Sequence, residues 1–117
     1  MTQEDKEMLL KDLCSRLPYG VKVESVFINP DTKEHKSCGI EVFDATSILM
    51  IRDGLGEFKP YLFPISSMTE EQKEEWRGIR WSKLPWDELN WLNKGHWDYR
   101  HLIEKGLAID ATGKNIY

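Results

Sequence analysis

The side chains most apt to bind metals or attack substrates are thinly spread in this chain. His96, Asp98 and His101 form one close grouping, and Cys38 or His35 would complete a four-ligand site if folding brought either near. Asp98 and His101 are three apart and share a face if the segment is helical. An aspartate directly before a helical turn, however, is better explained as a cap accepting backbone N–H bonds. The cap is the preferred reading, and no metal is expected. His96, Asp98, Tyr99 and Arg100 offer a second combination, with the histidine as acid or base and the arginine clamping an anion, which keeps a small enzyme open as an alternative. Elsewhere the chemistry thins out. Ser66 and Ser67 precede a helix with no Gly-x-Ser-x-Gly elbow, and Gly54-Leu55-Gly56 lacks the third glycine and the lysine of a phosphate loop. Glu70, Glu71, Glu74 and Glu75 read as a solvated helix face. No nucleophile stands beside a base in a recognisable setting, so the chain is expected to be non-catalytic and to carry no cofactor.

The unusual residue is tryptophan: Trp76, Trp81, Trp86, Trp91 and Trp97 fall within 22 residues. A spacing of five turns about 140° per step around a helix, so one face cannot bury them all. Some serve as bulky core against a sheet, and one or two are expected at the surface, where tryptophan anchors partners. The candidate partner surface is Trp91, His96, Trp97, Tyr99 and Arg100. Residues 76–105 carry six basic side chains (Arg77, Arg80, Lys83, Lys94, Arg100, Lys105) against four acidic ones (Asp87, Glu88, Asp98, Glu104). Arginine interleaved with aromatics suits stacking on unpaired bases, so a single-stranded nucleic acid is a possible but less favoured partner.

The elements that must position these residues can be read from periodicity. Leu9, Leu13 and Leu17, widened by Leu10, mark an amphipathic helix over 1–18, capped by Thr2 with Asp5 three residues on and ended by Pro18 and Gly20. From 20 to 64 the pattern is β-rich: Val21 to Ile28, a turn at Asn29-Pro30-Asp31, an alternating run from Cys38 to Phe43, then Ser47 to Ile51, and Phe58 to Phe63 as an edge or closing strand. Residues 66–106 are helical, with Thr69 and Gln72 at capping-box spacing, a break at Gly78, Pro85 opening a helix closed by Gly95, and a last turn from Tyr99 to Lys105. Residues 107–117 read as an extended tail. The expected fold is α+β, one domain over 1–117: an N-terminal helix, a four- to five-stranded antiparallel SH3-like sheet or partial barrel, and two to three short C-terminal helices.

The bulk numbers agree with such a domain. The chain has 117 residues, 40% hydrophobic and 31% charged, enough for one core without the composition of a disordered chain. Its net charge of −4 opposes broad attraction to phosphate backbones. No apolar run approaches the ~20 residues of a membrane span. The acidic opening residues do not resemble a secretory signal, so a cytoplasmic location is expected. Cys14 and Cys38 are expected as reduced, buried thiols.

Three stretches together resemble a family of small uncharacterised proteins from gut anaerobic bacteria and their phages or prophages. They are Asp12 to Val23, containing Leu17-Pro18-Tyr19-Gly20-Val21-Lys22-Val23; Lys59 to Thr69, Lys-Pro-Tyr-Leu-Phe-Pro-Ile-Ser-Ser-Met-Thr; and Trp91 to Ala108, opening Trp-Leu-Asn-Lys-Gly-His-Trp-Asp-Tyr-Arg. The resemblance brings no known activity. It implies a mobile-element accessory role, such as modulating a host protein, and fits a non-catalytic protein-interaction or adaptor module.

Overall fold

The computed structural model describes residues 2–81 and 85–117 and has an α+β architecture. Lys83, counted in the local charge balance above, lies outside the described residues. The first helix, α1, spans Gln3–Arg16 and begins with the expected capping box. Asp5 N–H donates to Thr2 Oγ1 at 3.1 Å, and Thr2 N–H donates to the Asp5 carboxylate at 3.3 Å. The helix tightens into a 3-10 turn over Leu17–Tyr19 and ends at Gly20, whose φ of +66° is the left-handed conformation glycine adopts without cost. Its buried face is Leu9, Asp12, Leu13 and Arg16, an i, i+3, i+4, i+7 stripe in which two positions are charged.

Strand β1 (Lys22–Ile28) pairs antiparallel with β2 (His35–Val42) through a turn in which the Asn29 side chain accepts from Asp31 N–H and Thr32 N–H. The register slips between Ser25 and Val26, leaving Cys38 as the extra residue of a bulge beside Gly39 at φ +82°. β2 is the sheet's edge and is exposed along its length, and a bulge there discourages pairing with a second chain. Cys14 and Cys38 are both free thiols and, contrary to expectation, exposed. Cys14 falls outside the buried stripe of α1, and Cys38 sits at the bulge.

Ser47 to Ile51 is not a strand. It belongs to helix α2 (Ala45–Arg52), because Asp44 accepts from Ser47 N–H at 3.0 Å while Ser47 Oγ accepts from Asp44 N–H at 3.3 Å, closing a helix-starting box. Strand β3 (Gly56–Leu62) follows in the order β2-β1-β3-β4: Gly56–Pro60 pair with β1 alone and keep the expected edge, while Tyr61 and Leu62 also pair with β4 (Ile109–Asp110), drawn from the tail. Pro60 is tolerated there for a geometric reason. The Ile28 N–H to Leu55 carbonyl bond sets the ladder's parity, so Val23–Pro60 is a non-hydrogen-bonded pair and the missing donor points away from β1.

β3 pairs parallel with β4, and Phe63 makes a further parallel bridge to Trp97. The sheet is therefore mixed and open. The expected antiparallel SH3-like meander is corrected on two counts: one of its strands is α2, and the long-range partners of β3 come from residues beyond 95. Two helices complete the C-terminal half, α3 (Glu70–Trp81) and α4 (Pro85–Lys94). α3 runs straight through Gly78, which lies in open space on an exposed face. The helical turn expected over Tyr99 to Lys105 is absent, because His101 adopts φ +58° and a left-handed residue cannot continue a helix.

The molecule measures 52 × 28 × 23 Å, and its described residues form two apolar clusters. One packs α1 against the sheet through Leu13, Val21, Val23, Phe43, Phe58 and Leu62, with Phe43 and Phe58 edge to face at 5.8 Å. The second gathers Met68, Leu92 and Trp97, with Phe63, Trp76, Trp91 and Tyr99 around them. No helix among the described residues is long and apolar enough to cross a membrane.

Candidate functional site

The five-residue spacing of tryptophan divides the indoles as helix geometry demands. Each of α3 and α4 carries two, about 140° apart, so one of each pair turns toward the other helix while its mate turns away. Trp76 and Trp91 are the inward pair, and their indole N–H groups are satisfied reciprocally. Trp76 Nε1 donates to Glu88 of α4 at 3.2 Å, and Trp91 Nε1 donates to Glu75 of α3 at 2.9 Å. Glu75 is thus more than part of a solvated acidic face. Trp81 and Trp86 are the outward pair, with 81% and 72% of their surface exposed, and Leu89, three residues after Trp86 on α4, is also exposed.

Trp97 follows a helix stop that explains its burial. His96 N–H donates to the Asn93 carbonyl and Trp97 N–H to the Leu92 carbonyl, which is a Schellman closure with His96 in the left-handed position at φ +59°. Gly95 precedes it because a Cβ there would lie 2.4 Å from Trp97 Nε1. The indole folds back onto Leu92, and Trp97 is only 6% exposed, so most of it is withdrawn from the partner surface expected from its sequence. The same segment docks on the sheet: Phe63 N–H donates to the His96 carbonyl and Asp98 N–H to the Phe63 carbonyl, each at 2.8 Å.

Around Trp91 lie two adjoining grooves. One, of about 600 Å3, has Phe63, Trp91 and Trp97 as its aromatic floor and Thr69, Gln72 and Thr112 among its polar lining. The other, of about 500 Å3, adds Tyr19, Ile79 and Asn90. Glu75, Trp91 and Lys94 line both, so Trp91 forms the ridge between them. The Trp91 and Trp97 rings lie 6.2 Å apart and within 16° of parallel. Such a surface offers flat apolar contact with a carboxylate and an ammonium at its borders.

The remaining expected site residues form an internal polar node. Arg16 and Asp12 are fully buried and joined by two bonds of 2.8 and 3.1 Å, and Arg16 Nη2 also donates to the Trp97 carbonyl at 2.7 Å. Arg100 donates to the same Asp12 carboxylate at 2.6 Å and to Tyr99 Oη at 3.0 Å, while Tyr99 Oη donates to Asn93 at 2.7 Å. Both guanidinium groups lie over the Tyr99 ring. Arg100 is therefore engaged as a structural cation. Asp98 accepts from Leu102 N–H and Ile103 N–H at 2.9 and 3.0 Å, the backbone-capping role expected of it, though around a turn and not a helix.

His96 stacks on Tyr117, ring centroids 3.7 Å apart. Burial first, then the positive charges of Arg16 and Lys22, push its pKa down to about 4, so its ring is neutral at pH 7. The Tyr117 phenol, pushed up to about 12 chiefly by burial, donates to the Tyr61 carbonyl at 2.8 Å. Tyr99 and Arg100 thus meet each other in the polar node, while His96 faces Tyr117 and Asp98 caps the backbone, so the four do not converge on one reaction centre. Among the described residues no group of three or more His, Cys, Asp or Glu side chains is placed to hold a metal.

Asp12 and Arg16 were missed by motif reading, yet a signal existed. They stand at i+3 and i+7 from Leu9, on the apolar stripe where charge has no reason to be unless it is paired inside. No family model matches the chain, and neither does any curated protein or solved structure.

Proposed function

We propose that this chain is a non-catalytic, cytoplasmic protein-interaction module of the kind carried by phages and other mobile elements, and that it docks a partner protein through the outward face of the α3–α4 pair. The observation that carries this reading is the division of the indoles. Three are held by core packing or by carboxylates, whereas Trp81 and Trp86 stand in solvent. Two exposed indoles on a small domain are a costly surface unless a partner covers them, and tryptophan is the side chain most enriched where binding energy concentrates. The Trp91 ridge extends the same half of the molecule as secondary contact area.

Quantitative pull-down from a lysate of a gut anaerobe, comparing the wild-type chain with a Trp81→Ser, Trp86→Ser double variant, tests it. A protein retained by the wild type and lost by the double variant is expected. Equal recovery with both baits, or no specific recovery with either, would reject the proposed surface.

A second reading, binding of single-stranded nucleic acid, draws on Arg77 and Arg80 beside exposed Trp81. It is weaker because their charges are already engaged: Arg77 pairs with Glu74, and Arg80 lies 3.7 Å from Glu88 and over the Trp76 ring. Salt-dependent binding of labelled single strands that is lost in Arg77→Ala would favour it over the protein partner.

A further inference from the structure

Between the first two turns of α1, the end of α2 and the start of β3 lies a hollow of about 330 Å3 that shares no lining residue with the tryptophan grooves. Its wall is apolar, formed by Leu9, Leu10, Ile28, Ile51 and Phe58. Leu9 and Phe58 are buried members of the sheet core, but Leu10, Ile28 and Ile51 are only partly covered. Branched apolar side chains grouped around a shared void lose dispersion contacts on that side, and an apolar ligand would restore them. The backbone keeps the space open. Gly54, at φ +72°, has nothing within 4 Å of where a Cβ would stand, and a Cβ on Gly56 would meet the Phe58 ring at 2.9 Å.

Charge marks the rim. Lys6 and Lys59 line the hollow, and neither joins an ion pair among the described residues. Glu57, the one acidic lining residue among those described, and Lys59 alternate with the inward Phe58 along β3, so their side chains leave on the other face of the sheet and Lys6 is the cation on the α1 side. An apolar cavity with a cation at its rim is complementary to an amphiphile with an anionic head.

We propose that this hollow binds a medium-chain aliphatic carboxylate, its alkyl chain packed among Leu10, Ile28 and Ile51 and its head group at Lys6. The volume lies at the lower end of the ~300–1,000 Å3 typical of small-molecule sites, which suits a single chain and excludes a two-chain lipid. Each buried methylene adds about fourfold in affinity, and an exposed carboxylate–ammonium contact adds about two- to fivefold. This site is independent of the tryptophan hairpin and stands whether or not that surface docks a protein.

The test is calorimetric titration of the full chain with hexanoate, octanoate, decanoate and dodecanoate below their micelle-forming concentrations, with methyl and indole NMR signals followed in parallel. Affinity is expected to climb about fourfold per methylene and then level off once the chain outgrows the hollow. The Leu10, Ile28 and Ile51 methyl signals are expected to move while the Trp91 indole N–H does not. A Lys6→Glu variant, changed only at an exposed position, should lose about two- to fivefold or more for decanoate and nothing for decanol. Leu10→Trp, which fills the void, should abolish binding of both. Absence of saturable binding overturns the proposal, as do shifts confined to the Trp91 groove, or decanoate binding no tighter than decanol and indifferent to charge reversal.

Discussion

The imidazole of His96 and the phenol ring of Tyr117 lie face to face, 3.7 Å between centroids and 9° from parallel, 21 residues apart in the chain. The contact joins the left-handed stop of α4 to the last residue of the tail. Tyr117 is further held through its hydroxyl, which accepts from Lys22 N–H at 2.9 Å, and Lys22 Nζ donates to the Ile116 carbonyl at 2.7 Å.

Acid should weaken this arrangement in a defined window. His96 has a folded pKa of about 4 against an ordinary 6.5, so between those values the unfolded chain binds the extra proton and the folded one does not. The group contributes nothing to the pH dependence above pH 6.5, and stability falls as pH drops from 6.5 toward 4. Urea unfolding at pH 7 and pH 4.5 should show a larger loss for the wild type than for His96→Asn, which keeps a side chain tolerant of φ +59° and cannot take up the proton. Equal losses would place the acid sensitivity elsewhere.

Two glycines should respond to alanine with opposite signs. In Gly95→Ala the new methyl meets Trp97 Nε1 at 2.4 Å, and the side chain it strikes is held in the core, so a loss of about 1–3 kcal/mol is expected. Gly78 lies inside α3 with nothing within 4 Å of a Cβ, so Gly78→Ala should gain about 0.5–1 kcal/mol. Thermal melts of the two variants side by side give the comparison.

Breaking the buried pair should be among the most damaging single changes. Arg16→Met leaves the fully buried Asp12 carboxylate with Arg100 as its remaining cation and frees the Trp97 carbonyl, for a cost of about 3 kcal/mol. Asp12→Asn in the same background should recover part of that loss, because the uncompensated charge is removed. A double-mutant cycle by denaturant unfolding measures the coupling.

Indole accessibility should follow the split between inward and outward tryptophans. In single-tryptophan variants, Trp81 and Trp86 are expected to be quenched freely by iodide and Trp97 to be protected, with Trp76 and Trp91 between. Strong quenching of Trp97 would contradict the closure of α4 described above.

Much of the helical framework could be read from local chemistry. The caps at Thr2 and Thr69 formed as their spacing required, Thr69 N–H donating to Gln72 at 2.8 Å and Gln72 N–H to Thr69 Oγ1 at 3.1 Å. Pro85 opens α4 as expected of a residue lacking an N–H. The first strand was legible from its β-rich run, and the second was placed by its alternation, although that alternation buries no face, since every residue of β2 is exposed. Ser47 to Ile51 misled because a short aliphatic run has no period of its own, and the deciding signal was the Asp44–Ser47 box just before it. The parallel partners of β3 lie more than thirty residues away and leave no local mark. For the candidate surface, the need for exposed indoles followed from spacing. Which ones were exposed did not, because it depends on how α3 and α4 face each other, and the Gly95 stop that turns Trp97 inward acts through tertiary contact.

The end of β3 takes partners from residues 96–98 and from 109–111, with Ala111 N–H donating to the Leu62 carbonyl at 2.8 Å. During synthesis, β3 therefore waits with open hydrogen-bonding groups until residues 96–111 have left the ribosome. A chain stalled or cut before Ile109 is expected to expose Tyr61 and Leu62 to proteases and to self-association, giving chains with and without that segment very different lifetimes in a cell.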